Sequence, residues 1–528
     1  MRIFSVVRIL VTLCLASRIG CVAITGPTGG VNAATGQRPF RQDFSTFKTS
    51  GPAFDLYILS LQQFQQQNQT AQLSYYSVSG RSRCQFGSDK TTLGQFAKQI
   101  LWSNARQIAA TYPASQRSIY QAAARTLRIP YWDWALNVTM PDPVNDPMIS
   151  VNTPSGMLNI VNPLYNYTFH PQPSTVDFPP QDSLSKYHST VRYPNAAGQS
   201  QPDLANAQLQ ANAPVFLVQT YLLIADQDDY APFSNTQSAD GRGNAYNSIE
   251  NMHNGIHLLV GNGGHMAIIP FSAFDPIFWL HHANVDRLLA IWQAIHPDSY
   301  TTPEVNTVGT QTIAPGTIDD INSPLTPFHS DNAGTLYTSA TVRSTRTFGY
   351  TYPEVIDWNV NATQLSSNVR ANVNKLYNPT GSISQTKPRS LKPRLSNATH
   401  SYPYMNSTTT DYQYFVNIRL DKYVPSPYLS LLLPNLSSSF PTSPPPTDEP
   451  ILMYIRRSSL SCPFFIHFFL GPPPPSPQTW PSAPNLIASH SVLYYPSTST
   501  SLNTTAANTA YGQIPLNHAL VSRIVDLH

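Results

Sequence analysis

The sequence predicts a mainly α core, a four-helix bundle with long ordered loops, followed by a smaller β-rich C-terminal domain. Three observations predict it. Apolar residues recur at helical spacing in several segments between residues 54 and 296. Two histidine pairs, His253/His257 and His281/His282, fall on two of those segments, so a cluster of metal-type ligands sits between helices, as in bundle cores. Beyond residue 400, runs such as YQYFVNIRL and PFFIHFFLG carry the composition of strands.

The elements follow in chain order. Residues 1–23, MRIFSVVRILVTLCLASRIGCVA, begin with a cation and run through an apolar stretch, interrupted by Arg8, to a small-residue site, the pattern of a secretory signal. Sequons at Asn68, Asn137, Asn166, Asn361, Asn397, Asn406, Asn435 and Asn503 agree with a secreted glycoprotein. Cleavage after Ala23 leaves Cys84 and Cys462, enough for one bridge at most, so this is no disulfide scaffold. Phe54, Tyr57, Ile58, Leu61 and Phe64 mark an amphipathic helix over 54–66. A second helical region spans about 95–127 and breaks at Pro113, and RIPYWDWALN ends it in a core strand or turn. Residues 140–215, rich in Pro, Asn, Ser and Asp yet punctuated by aromatics, are expected as long ordered loops. Helices follow around 215–225, over IENMHNGIHLLV, and over 282–296, where Val285, Leu288, Leu289 and Trp292 share a side. The core is expected to occupy 24–360, a linker containing the basic QTKPRSLKPR 361–400, and the C-terminal domain 401–528. Within that domain PSPYLSLLLPNLSSSFPTSPPPTDEPILMYIRRSSLS, about 425–461, has neither strand nor helix period.

At 528 residues the chain is long enough for two domains. A net charge of +3 with 11% charged residues supplies no basic stripe, so no nucleic-acid partner is expected. The run YLSLLLP is far shorter than the roughly 20 residues of a membrane helix, so no membrane partner is expected either.

Residues 252–288 hold five of the fourteen histidines: His253, His257, His265, His281 and His282. His253 and His257, four apart on a helix, project from one face and can grip one ion. Zinc-protease chemistry needs Glu directly after the first histidine, and Asn254 stands there. A ligand from His281/His282 completes a three-imidazole site, which suits copper, zinc, iron or nickel; spacing does not choose among them.

The stretch HNGIH…GGHM…SAFDPIFWLHHANVDR resembles the second copper motif of the tyrosinase family of type 3 copper proteins. GPAFDLYI, RIPYWDWA, TPFHSD and the Tyr350-Thr351-Tyr352 element resemble fungal members in particular. The resemblance implies His253, His257 and His282 as copper ligands, with His281, Asp275 and Asp286 behind them as supports. It implies Phe278 as the bulky residue beside the copper where a phenol ring arrives. It implies Glu250 and Asn254 as the pair holding a water that deprotonates a monophenol, since a phenol is a poor ligand while it keeps its proton. His265 is expected to be structural. The implied activity is oxidation of monophenols and o-diphenols by dioxygen to o-quinones that feed melanin-type pigment, with two coppers acting together. The rival without that chemistry is a single-copper pseudoenzyme, or an enzyme confined to catechols.

One part of the family pattern is missing. Its first copper motif belongs between FDLYI and PYWDW, where this chain has YYSVSGRSRCQFGSDKTTLGQFAKQILWSNA and no histidine. The flanks LSYYSVSG and QILWSNARQIAATYP still resemble the family, so a contiguous block is lost rather than single residues. That is the signature of a splicing fault, and the patternless 425–461 segment has the look of a retained intron. Cys84 falls where the family places a cysteine, but no histidine follows two residues later. This chain therefore carries ligands for one copper where the family has two.

Overall fold

The structure is a computed structural model that describes residues 23–80, 90–172, 184–235, 248–306 and 313–381, and, toward the C-terminus, 451–456, 464–469, 473–476, 479–480, 483, 485–493 and 509–514. The signal-like segment, Cys84, Cys462, QTKPRSLKPR and YQYFVNIRL lie outside these residues.

Seven longer helices build the core: α1 (Pro52–Gln65), α2 (Lys90–Thr111), α3 (Ala114–Thr126), α4 (Ala213–Ala225), α5 (Ile249–Gly261), α6 (Ile277–Ile295) and α7 (Ala362–Tyr377). Helix α1 starts where Gly51, at φ +56, turns the chain into Pro52, whose fixed φ suits a first helical position. It buries Leu56, Tyr57, Ile58, Leu61 and Phe64 against α2 and α3. Pro113 ends α2 and leads into α3. The Ser248 hydroxyl caps α5 by accepting the Asn251 N–H, and Asn262, at φ 37, closes its other end in the left-handed conformation. Asp275 begins α6 by accepting the Ile277 N–H at 3.2 Å. Because α6 packs against α2, α4, α5 and α7, nearly all its residues are buried. RIPYWDWALN forms a turn: Tyr131 exchanges backbone bonds with Gln42 and Phe44, Trp132 N–H reaches the Leu280 carbonyl, and Trp132 and Trp134 are enclosed.

Three sequence expectations are corrected. Residues 140–215 hold an antiparallel hairpin, β1 (Met148–Thr153) with β2 (Gly156–Val161), and a helix at Pro202–Ala211, in addition to loops. The expected linker begins with α7, whose Val369, Val373 and Tyr377 are buried against α4 and α6. Its four-residue apolar spacing is helical, so the core extends to about residue 381. The segment expected to lack structure up to 461 contains β3 (Ile451–Arg456), paired antiparallel with β6 (Thr509–Ile514). A second hairpin joins β4 (Phe464–Phe469) to β5 (Leu486–Val492), and β5 lies against α5. Among the described residues no helix is long and apolar enough to cross a membrane.

Candidate metal centre

Helices α5 and α6 cross so that His253 and His257 face His282. The three Nε2 atoms form a nearly equilateral triangle: 3.0 Å from His253 to His257, and 3.1 Å from each to His282. A triangle this size fits an ion bound at about 2.0 Å to each imidazole. Two of the rings are fixed from behind. His253 Nδ1–H donates to Asn254 Oδ1 at 2.9 Å, and His257 Nδ1–H donates to the Met266 carbonyl at 2.7 Å. With the proton on Nδ1, the Nε2 lone pairs converge on one point, as metal-binding histidines require. Among the described residues, His253, His257, His281 and His282 are the one group of three or more potential ligands, all within 4.8 Å of one another.

Phe278, one turn before His282, stacks on it with ring centroids 3.8 Å apart and planes 22° apart. The resemblance places the bulky residue here, and the ring lies against His282. Glu250 is half-buried in the first turn of α5. Asn254 holds the imidazole of His253 through its amide oxygen. His281 is fully enclosed, between the three other rings and Trp134.

Neither acidic residue expected to orient an imidazole does so. Asp275 is clamped by Arg192, Nε at 3.0 Å and Nη2 at 2.6 Å, and that arginine also ties the Val144 and Leu164 carbonyls. Asp286 pairs with Arg41 and accepts from Tyr350 at 2.6 Å and Tyr352 at 3.0 Å. Burial works to raise the Asp286 carboxyl; Arg41, Lys98 and the two hydroxyls outweigh it and hold it below the usual carboxylate range. The physical reason is the same for both: a buried carboxylate is stabilised most by a guanidinium, and each has one within reach. Arg287, next to Asp286 in sequence, turns to Asp133 at 3.0 Å and Glu354 at 2.7 Å.

His265 stands apart from the group. Its Nδ1 accepts the Val191 N–H at 3.1 Å, and burial lowers its pKa to about 3, so it is a neutral packing residue. His170, His188 and His329 do not join the cluster either; His170 Nε2 meets the Gln65 carbonyl at 2.7 Å.

What the sequence did not reveal is the orienting bond of Asn254 and a contact from the C-terminal domain. Ser491 N–H and hydroxyl both donate to Asn251 Oδ1, at 3.0 and 2.9 Å, while Asn251 Nδ2 reaches the Ser489 carbonyl at 3.3 Å. The Asn251 amide thus pairs with β5 as a neighbouring strand would, two residues before His253. The adjacency of Asn254 to His253 was the only signal for the first; for the second, the resemblance implies only that the family's C-terminal domain covers the copper site.

Known proteins resemble this chain in sequence and in fold. Residues 59–295 match the family described as the common central domain of tyrosinase, and residues 452–528 match the tyrosinase C-terminal domain. The start of the second match coincides with β3, which places Ile451–Arg456 with the C-terminal domain. The tyrosinase of Podospora anserina is 34% identical in an alignment that covers 68% of this chain and 70% of that protein. Polyphenol oxidase 2 of Agaricus bisporus is 32% identical over 63% of each chain. Among solved structures, recombinant mushroom tyrosinase aligns over 95% of this chain and 86% of its own with a TM-score of 0.69 at 23% identity, a likeness of fold. A structure of latent and active mushroom tyrosinase covers 68% of this chain and 98% of its own, with a TM-score of 0.61 at 28% identity.

Proposed function

The chain belongs to the tyrosinase family, and from that premise we propose that its scaffold serves copper-dependent oxidation of monophenols and o-diphenols to o-quinones by dioxygen, as monophenol monooxygenase and o-diphenol oxidase in a secretory-pathway pigment reaction. The observation that carries the reading is the Nε2 triangle of His253, His257 and His282. Copper, when bound there, supplies the redox chemistry. The chain's own residues hold and shield it: Asn254 and the Met266 carbonyl set the tautomers of two ligands, Phe278 packs on the third, and Glu250 stands one turn before His253 on α5. A half-buried carboxylate in that position is the group we assign to receive the phenol proton.

A specific observation favours a second reading for this 528-residue sequence. No histidine precedes His170, and the one ligand group among the described residues supplies a single station. In this form the chain binds one copper and does not perform two-copper chemistry. Replacing residues 81–95 with the corresponding histidine-bearing segment of a fungal relative is expected to raise the copper content to two ions per chain and to confer monophenol hydroxylation, measured as o-quinone formed from tyrosine. A restored chain that holds two coppers yet oxidises neither monophenols nor o-diphenols would overturn the assignment of the activity to this scaffold.

A further inference from the structure

We propose that two copies of this chain associate through the free edge of β2, which pairs antiparallel with its own counterpart across a twofold axis at Asn159 and joins the two β1–β2 hairpins into one sheet. None of the residues involved belongs to the histidine group, so the association does not depend on copper.

Each outer edge of an antiparallel hairpin carries a row of N–H and C=O groups that point away from the ladder. On β1 that row is engaged. The Asn152 N–H donates to Asp55 Oδ1 at 3.1 Å, and the Asn152 carbonyl accepts the Tyr112 hydroxyl. Because both groups point outward, Asn152 and Met157 oppose each other as a pair that exchanges no ladder bonds, and alternation makes Ser150 with Asn159 and Met148 with Val161 pairs of the same kind. The Asn162 N–H, which donates to the Pro147 carbonyl at 3.0 Å, sets the same phase at the open end of the hairpin. The outward groups of β2 are therefore those of Met157, Asn159 and Val161. Among the described residues no further strand pairs with β2, and nothing bonds to these groups.

The edge is also undefended. Free edges are commonly blunted by a charge, a proline or a bulge. Residues 148–161, MISVNTPSGMLNIV, carry no charge, β2 contains no proline, and its register with β1 runs without a shift. Met157 is 69% exposed, Val161 67% and Leu158 48%. What fits this edge is a second copy of itself. The outward groups are spaced symmetrically about Asn159, so a twofold axis there sets Asn159 against Asn159 and Met157 of one copy against Val161 of the other, with each N–H meeting a carbonyl. The same register sets Leu158 against Ile160 on the face that packs on the core, where the exposed part of Leu158 gains cover. An uncharged strand offers nothing to an acidic or basic partner, and a twofold pair closes on itself, leaving no β2 edge for a third copy.

The test is the mass of the full chain by analytical ultracentrifugation from low to high micromolar concentration. A rise from one chain to two is expected, with the Met157, Asn159 and Val161 amides gaining protection from hydrogen exchange as the dimer forms. Asn159→Pro removes an N–H that β1 does not use, at an edge position where proline is tolerated; it takes one bond from each copy and should weaken association by about tenfold. Asn159→Lys sets like charges against each other at the axis and should weaken it as well. Ser150→Lys puts the same charge on the exposed face of β1 and should leave it unchanged. A chain that stays monomeric throughout, a dimer that both Asn159 variants leave intact, or one that Ser150→Lys weakens equally would overturn the pairing. Protection of the same amides in a monomer would overturn it too, by assigning the edge to a segment of the same chain.

Discussion

His253→Ala is expected to abolish tight copper binding, with affinity lower by more than about 100-fold, whereas His265→Ala should leave copper binding nearly intact. Even removal of a group that merely orients a metal ligand costs about 10–100-fold in affinity, and the ligand itself should cost more. His253 is at one corner of the Nε2 triangle, and its ring is held by Asn254. His265 is in the same stretch of sequence and equally enclosed, yet its Nδ1 faces the Val191 backbone and it lies outside the ligand group. Metal analysis of both variants after dialysis against a weak chelator reads the difference. Equal losses would show that the two histidines have been assigned wrongly.

Arg287→Ala should destabilise the core by about 3–5 kcal/mol, the cost of breaking a buried ion pair by removing one partner. Arg287 reaches Asp133, Glu354, Asn284 and the Tyr377 hydroxyl, and its guanidinium lies 4.5 Å over the Tyr131 ring. Burial works against its charge, and the surrounding oxygens more than restore it, so its pKa is raised. Without the arginine, two carboxylates remain in an interior that cannot solvate them. Urea unfolding followed by tryptophan fluorescence measures the loss, and a change below about 1 kcal/mol would mean that water or another cation replaces the guanidinium. The site should suffer with the core, because Arg287 is on the same helix as His282.

The bundle was legible in sequence because its helices bury one face and repeat their apolar residues accordingly: α1 over FDLYILSLQQF and α6 over HANVDRLLAIWQ are the clearest. The clustering of His253, His257 and His282 was legible for the same reason. Four-residue spacing on a helix sets two side chains over one another, and the family motif supplied the third. Helix α7 was missed because its exposed face is rich in Ser, Asn and Gln, which dilutes the pattern of Val369, Val373 and Tyr377. The hairpin β1–β2 was hidden among Pro and Asn, and β3 within a segment of no clear period. Least legible were the arginine clamps. Arg41 finds Asp286, Arg192 finds Asp275 and Arg287 finds Asp133 across long stretches of chain, so proximity in sequence pointed to the wrong partners. Carboxylates near metal ligands in sequence were expected to serve those ligands; in space they serve the arginines that join the loops to α6.

One copper station per chain, formed by α5 and α6, is the proposed state of this protein. Its most direct test is the copper-to-protein ratio of the 528-residue protein, freshly loaded with copper and freed of loosely bound metal, alongside its rate of tyrosine hydroxylation. A ratio of one and a rate at background are expected. A ratio of two with catalytic hydroxylation would contradict it, since among the described residues no histidine beyond this one group is placed to hold a second ion.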